Sequence, residues 1–186
     1  MERDAPSEDG ALILPAKALV ARAKSLGDAL RARGWHLATA ESCTGGLLAG
    51  ACTAPAGASD WFDAGFVTYA NAAKVAMLGV PEATIGAHGA VSAETADAMA
   101  RGALARAGVD LAAAVTGIAG PSGGSPGKPV GTVWLGFAWR DAVSLDVRSA
   151  TQRLALDGDR GTIRSRTVVV VLDRLLQLAR GEAGAS

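Results

Sequence analysis

The chain has only two cysteines and two histidines, and aromatic residues fill just 4% of its 186 positions. Each scarcity excludes something. Cys43 and Cys52, carried on one helix, would stand roughly 13 Å apart along its axis, too far for a disulfide. Two free thiols suit a cytoplasmic protein. His36 and His88 have no Cys or carboxylate cluster at ligand spacing, so neither a metal nor a cofactor is expected. No apolar run approaches the ~20 residues of a membrane span, and the start of the chain lacks the basic and apolar regions of a signal peptide. Lys and Arg, 18 together, cancel the 18 Asp and Glu. With no basic block there is no electrostatic footprint for nucleic acid. What is abundant is small and apolar: hydrophobic residues make up 49% and glycines number 24, a composition that suits helices packed closely on a sheet.

The length fits one domain with a real core. Residues 1–14, acidic and polar over Met1 to Gly10, are expected to be a disordered lead. Residues 15–180 form the domain, and 181–186 a flexible tail. Ala16 to Arg33 has a helical apolar period, and Gly34 stops it. A β-type run covers Trp35 to Ala40, and Leu47 opens a helix. Thr53 to Asp60 reads as a loop. Trp61 to Ala70 alternates as a strand, and Asn71 is expected to cap a short helix through Met77, closed by Gly79. His88 falls in a turn ahead of a helix capped by Ser92. Val109 to Val115 is a continuous apolar run, as in a strand covered on both faces. Val130 to Trp139 and Val143 to Ser149 are too close for a helical crossover and are expected to pair as an antiparallel hairpin. Asp159-Arg160 opens the last helix, with Ile163, Val168, Val171, Leu172, Leu175 and Leu176 inward. The expected fold is a single three-layer α/β/α domain on a mixed, mainly parallel sheet.

The most informative stretch is Ala38-Thr39-Ala40-Glu41-Ser42-Cys43-Thr44-Gly45-Gly46, a strand that ends in polar residues and two glycines before a helix. A hydroxyl there would lie beside the free N–H groups of a helix's first turn. That suits a nucleophile whose attack creates an oxyanion, or a loop that grips phosphate. The alternative is that Ser42 or Thr44 only caps the helix. Cys43 could be a nucleophile, but a small buried thiol is the favoured reading. Ligands in α/β sheets collect at the carboxyl ends of strands. Glu41 to Gly46, Tyr69 to Lys74 and Thr116 to Pro121 all end strands, so parallel neighbours would bring them to one crevice. A desolvated lysine, or a tyrosine beside it, can then take a serine's proton.

Several motifs occur in order: Ala40 to Gly46, Gly65-Phe66-Val67-Thr68-Tyr69, Lys74, Leu78-Gly79-Val80, and His88-Gly89-Ala90-Val91-Ser92. Thr116-Gly117-Ile118-Ala119-Gly120-Pro121, Gly123-Gly124, Lys128 to Val133 and Gly158-Asp159-Arg160 follow. From about Leu26 to Leu176 the chain resembles the C-terminal-domain family of the competence-damage-inducible protein CinA, whose members include stand-alone nicotinamide-nucleotide amidohydrolases. The loop from Thr53 to Asp63 departs from the usual pattern.

The resemblance implies hydrolysis of the carboxamide of nicotinamide mononucleotide to nicotinic acid mononucleotide and ammonia, a step of NAD salvage in the pyridine nucleotide cycle. It implies Ser42 as nucleophile with Tyr69 and Lys74 as the other catalytic groups. Thr44, Gly45, Gly46, Thr116, Gly117, Gly120 and Arg160 would bind substrate. The N–H groups of Thr44 to Gly46 are the expected oxyanion donors, and Thr116, the glycines after it and Arg160 the expected phosphate site. The partner is a small-molecule nucleotide, with no metal, nucleic acid or membrane; a homo-oligomer is left open. Two other classes stay open: a nucleotide-binding module without turnover, and a serine amidase for another small amide.

Overall fold

The computed structural model describes residues 17–141, 144 and 146–182, so the expected lead at 1–14 and most of the tail at 181–186 lie outside the described residues. The elements run α1 (Lys17–Arg33), β1 (Leu37–Glu41), α2 (Leu47–Thr53), a 3-10 turn (Ala58–Asp60), β2 (Phe62–Val67), α3 (Asn71–Leu78), α4 (Glu82–His88) and α5 (Ala93–Ala107). Then come β3 (Leu111–Gly117), β4 (Thr132–Arg140), β5 (Val147–Ala155) and α6 (Arg160–Arg180). Their sheet has the order β2-β1-β3-β4-β5. β1 is parallel to both β2 and β3, while β4 and β5 continue the sheet antiparallel. No described helix is long and apolar enough to cross a membrane.

The two faces of the sheet bury different side chains, and strand alternation decides which. Leu37, Leu111, Val115, Leu135 and Phe137 meet Leu26 and Leu30 of α1, Leu48 and Cys52 of α2, and Val171, Leu172 and Leu175 of α6. The opposite face is almost all alanine: Ala40, Ala112, Ala114 and Ala138 lie under Met99, Ala103 and Leu104 of α5 and Leu78 at the end of α3. The second layer is therefore thin. A Cβ at Gly136 on β4 would stand 2.1 Å from the Ala96 carbonyl oxygen of α5, and one at Gly102 2.2 Å from that of Leu78.

The expected three-layer architecture and the antiparallel pairing after β3 are both present. Four local expectations change. The strand at Trp61 stops at Val67, because Thr68 and Tyr69 turn their carbonyls toward Lys74. Asn71 is the first residue of α3; the capping position is Ala70, and no side chain caps there. Helix α4 stands where His88 was placed in a turn; it buries none of its residues, so it has no core-facing period to read. The hairpin's second strand runs Val147–Ala155, later than Val143 to Ser149. It is an edge strand with one face open to solvent, which is why its polar half looked like a connection. Residues 142, 143 and 145 of that connection lie outside the described ones.

The contact of α5 with β4 tests this packing. Gly136→Ala should lower stability by about 1–3 kcal/mol, since the added methyl meets fixed backbone rather than a mobile side chain. A urea midpoint indistinguishable from the parent protein's would show that the helix can lift off the sheet without cost.

Candidate active site

The site is built at the carboxyl ends of β1, β2 and β3. Ser42 is the first residue past β1, and its N–H donates to the Val115 carbonyl of the neighbouring strand at 2.9 Å. That bond extends the β1–β3 ladder by one step and holds the serine at the rim of the sheet. From β2 the chain turns into α3, which carries Lys74 one turn from its start. Long side chains on a helix lean toward its N-terminus, and Lys74 does so. Its Nζ donates to the carbonyls of Thr68 at 3.0 Å and Tyr69 at 3.3 Å, and to Ser42 Oγ at 3.2 Å.

Lys74 is only 1% exposed. Among the described residues it has no carboxylate partner within ion-pair distance. Burial therefore lowers its pKa from the ordinary lysine value, opposed only by the proximity of the Cys43 thiol. As an ammonium, three N–H groups face three oxygens. As a neutral amine, two N–H groups serve the carbonyls and the lone pair faces the Ser42 hydroxyl. The same geometry fits both protonation states, as a proton-transfer pair requires.

A cavity of about 330 Å³ opens at this point, lined among others by Ser42, Tyr69, Lys74, Thr116, Gly120 and Arg160. Arg160, the first residue of α6, donates Nη1 to the Gly120 carbonyl at 2.8 Å and Nη2 to the Tyr69 hydroxyl at 2.9 Å. With no carboxylate partner among the described residues, its charge is left for an anion. The phenol of Tyr69 thus contacts Arg160, while its carbonyl holds Lys74. Thr116 is buried, and its hydroxyl proton is committed to the Ala90 carbonyl at 2.6 Å. Gly117 lines the same cavity, and a Cβ there would meet Val133 at 2.8 Å.

The N–H groups of Gly45 and Gly46 are engaged within the chain rather than left open, while that of Thr44 is not. Glu41, fully buried, reaches forward from β1 and accepts from Gly46 N–H at 3.0 Å, Leu48 N–H at 3.0 Å and Ala49 N–H at 2.9 Å. The start of α2 is therefore already occupied by a carboxylate of the chain itself, and neither Ser42 nor Thr44 caps it. Gly45 N–H closes back on the Ser42 carbonyl at 3.1 Å. The backbone donors left over in this turn are those of Cys43 and Thr44, which donate to no other described residue. Glu41 went unread because its spacing to α2 is not that of a local cap; a carboxylate buried between an apolar strand and a Gly-Gly pair was the available signal. Arg164, one turn after Arg160, was also missed. It donates Nη2 to the Thr44 carbonyl at 2.8 Å.

Cys43 lies in the turn rather than on α2, so the two thiols are not on one helix. Burial pushes the Cys43 thiol up to about 11, offset in part by its own N–H and by Arg164, and Cys52 is higher still. Neither is a thiolate at neutral pH. His88 pairs with Glu94 at 3.4 Å and is not among the residues lining the cavity.

Fold and site together define a three-layer α/β domain with a serine–lysine pair at the carboxyl ends of its parallel strands. The chain belongs to the CinA C-terminal domain family, whose model matches residues 20–179. Over 156 residues it is 53% identical to a Pseudomonas putida protein named nicotinamide-nucleotide amidohydrolase PncC, covering 84% of this chain and 94% of that one. The Escherichia coli K12 protein of the same name is 46% identical over 159 residues, 86% of this chain and 93% of that one. A crystal structure from Agrobacterium tumefaciens, described as competence/damage inducible protein CihA, matches with a TM-score of 0.81 at 44% identity, covering 88% of this chain and 96% of that chain.

The Glu41 cap makes a prediction about stability. Glu41→Ala leaves three N–H groups without their acceptor and should cost about 3 kcal/mol or more in chemical denaturation. A loss below about 1 kcal/mol would mean that water replaces the carboxylate and that the turn does not depend on it.

Proposed function

We propose that this chain hydrolyses the carboxamide of nicotinamide mononucleotide to nicotinic acid mononucleotide and ammonia, with Ser42 as nucleophile. The observation that carries the reading is the 3.2 Å contact between Ser42 Oγ and a buried lysine amine at the mouth of the cavity. The names of the relatives supply the substrate class. A module that only bound nucleotides would have no use for an uncompensated buried amine, which is costly to hold.

An amide is a weak electrophile, so three tasks need residues. Lys74, as a neutral amine, takes the Ser42 proton while Oγ attacks the carboxamide carbon. The resulting oxyanion meets the N–H of Cys43, next to the nucleophile and lining the cavity, with that of Thr44 beside it. The proton on Lys74 then passes to the departing ammonia, and water, deprotonated by the same amine, resolves the acyl-enzyme. Tyr69 steadies the lysine through its carbonyl and the phosphate-binding Arg160 through its hydroxyl. The substrate's pyridinium is itself a cation, so its arrival further disfavours the ammonium form of Lys74. Buried free thiols support a cytoplasmic setting for this step of NAD salvage.

Ammonia release from nicotinamide mononucleotide, measured beside a panel of other small amides, tests the reading; turnover of a different amide alone would move the substrate and keep the site. Ser42→Ala should lower kcat by at least about 10⁴-fold, as removal of a serine nucleophile does. The wild-type kcat/KM should climb with pH and level off below 10.5, the ordinary lysine value, because only the deprotonated amine accepts the serine proton. Lys74→Arg should be inactive across that range, since a guanidinium does not deprotonate. A profile that shows no rise with pH anywhere below 10.5 would take the base role away from Lys74.

Arg160 carries the phosphate expectation. Arg160→Ala should raise KM for nicotinamide mononucleotide tens-fold, the equivalent of roughly 2 kcal/mol for a charge-assisted bond. Hydrolysis of nicotinamide riboside, which lacks the phosphate, should change little. Equal losses on both substrates would confine Arg160 to holding Gly120 and Tyr69.

A further inference from the structure

Among the described residues, Arg164 is a cation close to Ser42 that the reaction above leaves without a task. It lies on α6 one turn beyond Arg160. Its Nη2 donates to the Thr44 carbonyl at 2.8 Å and stands 3.3 Å from where a Cβ on Gly45 would be. Its Nε is buried with no hydrogen-bond partner among the described residues. An unpaired buried donor is a standing cost, and a residue such as methionine would fill the same space without it. Nη2 is the Arg164 nitrogen with a hydrogen-bond partner among the described residues.

What Nη2 does is hold one end of a single peptide unit. The peptide joining Thr44 to Gly45 presents its carbonyl to Arg164 at 2.8 Å and, more distantly, to the Leu47 N–H at 3.2 Å, and its N–H to the Ser42 carbonyl at 3.1 Å. The second bond closes a four-residue turn from Ser42 to Gly45, with Cys43 and Thr44 at its centre. Pinning that peptide from both sides fixes the orientation of the two central residues, and theirs are the N–H groups with no other acceptor. Gly45 takes a positive φ of 57° and its own backbone resists rotation little, so the orientation of this peptide is set by its bonds to Arg164, Leu47 and Ser42. Glu41 secures the following N–H groups, of Gly46, Leu48 and Ala49, but makes no bond to this peptide.

We propose that Arg164 is a positioning residue for the oxyanion donors: its bond to the Thr44 carbonyl locks the Ser42–Gly45 turn with the Cys43 and Thr44 N–H groups aimed at the reacting centre. The inference rests on Ser42 being the nucleophile. It separates Arg164 from Arg160, which touches the cavity, and gives two cations on one helix face two different tasks.

The test compares binding in the ground state with binding in a tetrahedral state, where only the oxyanion donors differ. The probe is the substrate analogue with an aldehyde in place of the carboxamide. Ser42 Oγ adds to its carbonyl carbon, the C=O electron pair moves onto oxygen, and the serine proton passes to Lys74, giving a reversible hemiacetal with a negative oxygen. Arg164→Met should lower kcat about 30-fold and weaken aldehyde inhibition by a similar factor, with KM for the amide within about threefold. Arg164→Lys, which can reach the same carbonyl with one N–H, should recover part of both losses. A uniform loss in kcat, amide KM and aldehyde affinity, accompanied by a lowered melting temperature, would make Arg164 a structural residue only. Unchanged aldehyde inhibition in Arg164→Met would overturn the proposal as well. Full activity in Ser42→Ala is the separate result that removes the nucleophile reading, and this proposal with it; an inactive Ser42→Ala beside an unaffected Arg164→Met removes this proposal alone.

Discussion

The buried carboxylate of Glu41 is the interaction on which the turn carrying Ser42 depends. It leaves β1 on the face that packs against α2 and accepts three N–H groups at the start of that helix. A helix this short has little stability of its own and needs its first turn satisfied. By supplying the acceptor from the strand rather than from the loop, the chain frees every loop side chain between them. Ser42 is thereby spared from capping and can face the cavity. The same bonds consume the donors of Gly46, Leu48 and Ala49, so in the proposed reaction the oxyanion falls to the residues immediately after Ser42.

Lys74 is the complementary constraint. Its charge is stripped of water with no carboxylate among the described residues in compensation, which the chain tolerates because two backbone carbonyls and one hydroxyl meet the amine. The depressed native pKa has a thermodynamic consequence with a definite sign. Between the native pKa and the ordinary value near 10.5, the unfolded chain binds the lysine proton and the native state does not. Stability attributable to this group therefore rises with pH across that window, the opposite of a lysine that gains an ion pair on folding. In the proposed reaction, activity and this share of stability increase together toward alkaline pH, because both depend on the neutral amine.

Much of this was legible in the residues, for physical reasons that differ from element to element. Helices α1, α5 and α6 bury one stripe each, so their period stands out, and β3 is covered on both faces, so it reads as an unbroken apolar run. The meeting of Ser42 with Lys74 followed from strand ends that parallel pairing brings together. What stayed hidden lacks a repeating signal. Helix α4 buries nothing, and β5 is an edge strand whose outer face is polar. The occupation of the α2 N-terminus was hidden because it is settled by one side chain reaching five to eight residues ahead, a distance no local pattern encodes. Asn71 misled for the opposite reason: its type suits a cap, but Ala70 takes that place and the lysine's carbonyl acceptors form just before it.

The scarcity of large side chains belongs to the same design. An alanine face on β1, β3 and β4, with Gly136 beneath α5, draws that helix close to the sheet, and Gly102 on α5 lets the end of α3 close on it. Drawing α5 in also seats the segment before it: Ser92 caps the helix through Thr95 N–H, and the Ala90 carbonyl accepts from Thr116 at 2.6 Å. That bond joins the α4–α5 connection to the end of β3, forming one wall of the cavity. The α1, α2 and α6 layer uses larger residues and stands farther off, which leaves room for Glu41 beneath α2 and for Arg164 to reach Thr44. An asymmetric pair of layers thus gives a tight wall on one side of Ser42 and space for charged supports on the other.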